Sequence, residues 1–179
     1  MRIAIVGLVL TLGSSTSVDA QSSWCRYKPG RLHDIIDEER TTLNDTLPPD
    51  HRNWVVNTGF RGAKAPVVYL GQSRRLAGLD SSFLDGYFHR VLPDSAFRAL
   101  FHNQARFVDG LDTLWLAIQD SLLPALVAEA QPGELVTLFT SYLGARQEGR
   151  STFWVFVINE FATRESQAQW DRTLNSCPH

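Results

Sequence analysis

Apolar and polar positions along this chain fall into two periods. Residues 134–143 are rich in β-branched and aromatic side chains, and residues 153–161 are richer still. A polar segment, 144–150, with a glycine near each end, lies between them. This pattern predicts two antiparallel strands and a connecting loop. In the second strand Val155 and Val157 fall on one face, Phe156 and Ile158 on the other. A strand apolar on both faces must be covered on both, which places it centrally in a sheet.

Helical spacing dominates elsewhere. Residues 31–43 carry Leu32, Ile35, Ile36 and Leu43 on one face, with Asp34, Asp37, Glu38 and Arg40 largely opposite. Short strands are predicted at 53–57 and 66–70, joined by a flexible connection over 59–64. Three helical segments follow. The first, 80–92, aligns Phe83, Leu84, Tyr87, Phe88, Val91 and Leu92. The second begins after Pro93-Asp94-Ser95, aligns Phe97, Leu100, Phe101, Phe107 and Val108, and closes at Asp109-Gly110. The third, 114–130, is apolar over most of its circumference, and Pro124 imposes a kink or break near Asp120-Ser121. A polar helix over 163–174, docked by Trp170 and Leu174, ends the chain. The order of helix, two strands, three helices, two strands and helix predicts an α+β fold. Its antiparallel sheet has about four strands, packed with several helices in a single domain.

The first residues change the picture of where the protein works. Arg2, an apolar run over 3–12 and the small-residue pattern of Val18-Asp19-Ala20 read as a signal peptide over residues 1–20. The expectation is a secreted or periplasmic protein whose single domain is 21–179. No later apolar run is long enough to form a membrane helix, so no integral membrane segment is expected after cleavage. Loss of Arg2 and Asp19 takes 17 basic and 19 acidic residues to 16 and 18, leaving the net charge at −2. Such a balance argues against a nucleic-acid partner. Cys25 and Cys177, the two cysteines, lie near the ends of the mature chain, and an oxidising compartment predicts a disulfide between them. That bridge leaves no thiol for nucleophilic catalysis.

Catalytic motifs are sparse. Gly71-Gln72-Ser73 is half of a nucleophile elbow and lacks the second glycine. His33 and Asp37, four apart on one helix face, are the candidate metal pair, without a second histidine at ligand spacing. Glu160, near the end of the most apolar strand, is a candidate general acid if it faces inward, because desolvation would raise its pKa. His89 and His102, each near aromatic residues, are the other catalytic candidates. Gly59-Phe60-Arg61-Gly62 has no following helix to make a phosphate site. No cofactor motif occurs. Asn44-Asp45-Thr46 is a glycosylation acceptor pattern. Trp24, Tyr27 and Trp54, near polar or loop segments, are candidates for a recognition surface. Together these features point to an exported soluble domain that binds a protein or a small ligand without catalysis. The alternatives are a small extracytoplasmic hydrolase built on Glu160 or the histidines, and a structural component of an envelope assembly.

Overall fold

Seven strands and five helices are described in the computed structural model, which covers residues 24–46, 53–91, 95–148, 151–175 and 177. The signal peptide expected over residues 1–20 lies outside the described residues. In chain order the elements are β1 (Lys28–Pro29), α1 (Leu32–Thr46), β2 (Asn53–Val56), β3 (Gly62–Arg75), α2 (Gly78–Arg90) and α3 (Ser95–Arg98). They continue with β4 (Asn103–Asp109), β5 (Asp112–Ile118), α4 (Leu123–Glu129), β6 (Leu135–Glu148), β7 (Ser151–Ala162) and α5 (Gln167–Asn175).

The strands form one sheet in the order β1-β3-β4-β5-β7-β6-β2, and β3 also pairs with β6. That extra pairing closes β3, β4, β5, β7 and β6 into a ring. The length of β3 makes closure possible. Its first half, 62–68, runs antiparallel to β6, and its second half, from Val68 to Arg75, runs antiparallel to β4. β5 and β7 are parallel and share only the pairs Ala117↔Val157 and Ile118↔Ile158, so the ring is partly open there. The result is a five-stranded, partly open barrel of the Greek-key kind. β2 extends the ladder along β6, and β1 adds a two-residue parallel pairing to β3.

This corrects the expected architecture. The sheet is mixed and seven-stranded, not an antiparallel sheet of about four strands. Two of the predicted helices are in part strand, the second over 103–109 and the third over 114–118, while Ser95–Arg98 and Leu123–Glu129 within them are helical. Ala105 and Phe107 alternate into the barrel on β4, and Leu114, Leu116 and Ile118 do so on β5. The opposite side of β5 is also covered, at Ala117, by α2. An apolar run buried on both sides has no visible period of two and reads equally well as a buried helix. Asp109 pairs with Asp112 across a two-residue hairpin loop in which Gly110 has φ +63°. Asp-Gly followed by a second apolar run is a hairpin signal, and the helical alignment of Phe97 to Val108 masked it. The break expected near Asp120-Ser121 is real, but it separates β5 from α4. Pro124 sits in the first turn of α4, where its missing N–H costs nothing.

The remaining elements follow the pattern more closely. α1, α2 and α5 form about where the spacing placed them, with α1 running on to Thr46 through the glycosylation pattern. β3 is far longer than 66–70, and Pro66 lies inside it. The amide of Tyr69 points to Glu134 and the carbonyl of Lys64 to Gly30, so alternation turns the Pro66 nitrogen to the edge between β1 and β4. No ladder bond is lost there. The strand pair β6–β7 forms, but the expected loop over 144–150 is strand up to Glu148.

Two apolar layers meet on β7. Phe156 and Ile158 face the barrel interior with Tyr142, Leu138 and Phe107, closed by Leu32 and Ile36 of α1 and by Leu126 of α4. Val155 and Val157 face outward under Phe83, Leu84 and Phe88 of α2. All four β7 residues are buried, and the strand has partners on both edges, as a central strand requires.

Candidate binding site

A cleft of about 360 Å³ opens on the outer side of the barrel, where the pairing along β6 is interrupted between β2 and β3. β2 and β3 lie end to end along β6, separated by residues 57–61. Asn57 holds the neck of this excursion. Its backbone N–H donates to the carbonyl of Leu143 (2.9 Å) and its side-chain amide to that of Tyr142 (3.0 Å). The ladder resumes where the Tyr142 N–H donates to the Arg61 carbonyl at 2.9 Å. Thr58, Gly59 and Phe60 thus stand away from the sheet and form one wall. Tyr87, Phe88 and Val91 from the end of α2, with Phe97 from α3, form the other. The apolar floor is Leu143 and Val157.

The polar groups converge at one end. Asn159 donates from Nδ2 to Ser141 Oγ at 2.9 Å. The Tyr27 hydroxyl lies against both residues. Burial pushes its pKa up, and the hydrogen bonds with Ser141 and Asn159 offset part of that rise. Asn159 reaches this position through a β-bulge. Phe139 pairs with Glu160 and Thr140 with Ile158, so Asn159 is the extra residue between two ladder pairs. The signal was present in sequence as two consecutive polar residues interrupting an apolar strand.

Tyr27 is held from behind. Trp24 packs on Tyr27 (5.5 Å between centroids), on Phe139 (5.6 Å) and on Trp170 of α5 (5.3 Å). The disulfide between Cys25 and Cys177 ties this N-terminal segment to the chain beyond α5. At the rim, the Arg26 guanidinium lies 3.8 Å over the Phe60 ring. Arg61 pairs with Glu38 and Glu39 of α1, so its charge is met locally. The Tyr142 hydroxyl is raised by burial first and by the Glu39 carboxylate second, and is neutral at physiological pH.

The other sequence candidates lie elsewhere. His33 faces Asp37 Oδ2 from Nε2 (2.9 Å) and Asp112 Oδ2 from Nδ1 (2.8 Å), while its backbone N–H donates to Asp109 Oδ2 (2.8 Å). Both ring nitrogens point at acceptors, an arrangement that ties α1 to the β4–β5 hairpin. Among the described residues no group of three or more His, Cys, Asp or Glu side chains could hold a metal ion. His102 pairs with Asp120 (2.7 Å) and fixes the turn after β5. His89 is exposed at the end of α2. Glu160 is half-buried. Desolvation raises its pKa, the Phe161 N–H lowers it, and the Glu129 carboxylate adds to the rise. None of His89, His102 and Glu160 lines the cleft. Of the three aromatic candidates only Tyr27 does. Trp24 is packed behind it, and Trp54, 41% exposed, lies against Phe83 of α2 (5.4 Å).

Comparison with protein-family models, with curated proteins and with solved structures finds no match to this chain. Among the described residues no helix is long and apolar enough to cross a membrane.

Proposed function

We propose that this chain is an exported binding domain, secreted or periplasmic, that holds a small, largely apolar ligand with one hydrogen-bonding end. The observation that carries this reading is the cleft itself. Its walls are aromatic and aliphatic, and Tyr27, Ser141 and Asn159 gather an uncharged polar cluster at one end. A concave apolar site with a few placed polar groups is the usual form of a small-molecule site. The apolar part of a ligand would seat between Phe60 and Phe88. Its polar end would share the hydrogen bonds of the tyrosine hydroxyl and the asparagine amide. Export is supported by the leader pattern of residues 1–20 and by the disulfide, which persists in oxidising compartments.

The test uses N-phenyl-1-naphthylamine, a neutral fluorescent probe with an apolar body and one N–H. It should bind the disulfide-intact chain saturably, one molecule per chain. Val91→Trp, which fills the cleft from the end of α2, should abolish binding with an unchanged circular dichroism spectrum. Equal binding to both proteins would remove the support for this reading.

A further inference from the structure

Arg26 and Arg61 are the cations among the described residues lining the cleft, and no Asp or Glu is among those residues. Arg61 is answered by Glu38 and Glu39 of α1. Arg26 is not. Its guanidinium lies 3.8 Å over the Phe60 ring, and among the described residues no carboxylate pairs with it. Stacking covers a flat face of a guanidinium and leaves its N–H edge to donate sideways, in the fork that matches an oxyanion. Arg26 is exposed at the rim, so a ligand entering the cleft reaches that edge.

The neutral groups beside Arg26 are set to donate. The Phe60 ring on which it stacks meets the Tyr27 ring edge-on, with centroids 5.3 Å apart. Asn159 Nδ2 donates to Ser141 Oγ at 2.9 Å. The hydrogen bonds from Ser141 and Asn159 to the Tyr27 hydroxyl lower its pKa, so they are bonds that its oxygen accepts. The phenolic proton is left to donate, and burial, the largest influence on this group, keeps it in place at physiological pH. A phenol proton and a guanidinium edge therefore stand together at the polar end of an apolar cleft, with donors in excess and one positive charge unanswered.

We propose that the ligand of this cleft is a singly charged oxyanion, a carboxylate or a sulfonate, carried on an apolar body. This rests on the reading of the cleft as a small-ligand site and specifies the polar end of that ligand. One anion oxygen accepts from Tyr27, and another faces the edge of Arg26. The apolar body lies along Leu143 and Val157, between Phe60 and Phe88. One unanswered cation suits one negative charge. The second charge of a phosphate monoester has no cation to meet it, because Arg61 is already paired.

Isothermal titration calorimetry on the disulfide-intact chain tests it with ligands that share one tail: octanoate, octane-1-sulfonate, octan-1-ol and octylammonium. At least one anion should bind roughly threefold or more tightly than octan-1-ol, the effect of one exposed charge pairing. Octylammonium should bind most weakly, and the stronger anion names the headgroup. The preference for the anion should shrink at high salt, because Arg26 is exposed. Arg26→Gln should remove most of it. The ratio of anion to alcohol affinity is read within each protein, so a general loosening of the cleft does not mimic the effect. Arg26→Lys should keep part of the preference, because the charge remains and the fork is lost. Octan-1-ol binding as tightly as both anions, octylammonium binding more tightly than they do, or an unchanged ratio in Arg26→Gln would each overturn the proposal. Saturable binding of N-phenyl-1-naphthylamine to the wild type, lost in Val91→Trp, would in those cases leave the small-ligand reading standing, so the two failures are told apart.

Discussion

Cys25 and Cys177 are joined across 152 residues of sequence, with their Cα atoms 5.5 Å apart. The bridge closes the chain between them into one loop and holds Trp24 against Trp170. In the chain-entropy model a loop of this length stabilises by up to ~5 kcal/mol, and loss of a native bridge from a small secreted domain costs about 2–5 kcal/mol. The double variant Cys25→Ser/Cys177→Ser should unfold at a clearly lower urea concentration than the wild type. It should also bind N-phenyl-1-naphthylamine more weakly, because Tyr27 lies two residues from Cys25. An unchanged urea midpoint would show that the bridge constrains little.

Both faces of β7 should be intolerant of charge. Phe156 is packed on Tyr142 at 5.1 Å inside the barrel, and Val157 lies under α2 outside it. Phe156→Ala should cost about 3–5 kcal/mol, from lost transfer energy plus a cavity. Phe156→Asp and Val157→Asp should each abolish folding, because neither face can solvate a carboxylate. Denaturant unfolding reads both. A Val157→Asp variant of near-native stability would mean that α2 does not cover the barrel there.

Gly144 is set where β2 joins β6 and has φ +147°, a conformation that L side chains rarely adopt. A Cβ at this position would overlap the carbonyl oxygen of Val55 and stand 2.9 Å from Cζ of Phe83. Gly144→Ala should therefore cost at least about 2–3 kcal/mol, combining backbone strain with overpacking. At Gly30 an added Cβ would meet no atom within 4 Å. Gly30→Ala should stay within roughly 0.5 kcal/mol of the wild type, as surface changes do. Thermal unfolding of the two variants side by side checks the contrast.

Two carboxyl groups should bend the pH dependence of stability in opposite directions. Glu160 has a raised pKa, chiefly through desolvation, so its folded form prefers the proton. Its contribution is full below the unfolded pKa and is lost as pH rises through the raised value. Glu160→Gln should accordingly be more stable than the wild type at pH 7, with the gap closing by pH 3. At Asp120 burial raises the pKa, but hydrogen bonds from the His102 side chain and backbone and from Asn103 outweigh it, and the net shift is downward. Its contribution is present above the unfolded pKa and is lost as pH falls through the lowered value. Asp120→Asn should be less stable than the wild type at pH 7, with the gap narrowing toward pH 3. Melting temperatures at the two pH values give both signs, and a gain for Asp120→Asn at pH 7 would contradict the pairing with His102.

The local pattern of side chains was enough to place α1, α2 and α5, the β6–β7 pair, the double burial of β7 and the pairing of Cys25 with Cys177. Each depends on spacing within one segment, or on counting two cysteines. Tertiary structure alone decided that 103–109 and 112–118 are strands. Phe107 and Leu116 satisfy a helical stripe as well as a strand face, and the choice fell to the long-range pairing that closes the barrel. The candidate site divides in the same way. Tyr27 was visible as an aromatic residue near a polar segment. Ser141 and Asn159 became its partners only through a bulge that adds one residue to β7 and re-aims a side chain. Periodicity reports which face of an element is apolar. It carries no information about which other element covers that face, because hydrophobic burial is non-directional and the partner is set by chain closure and hydrogen-bond register.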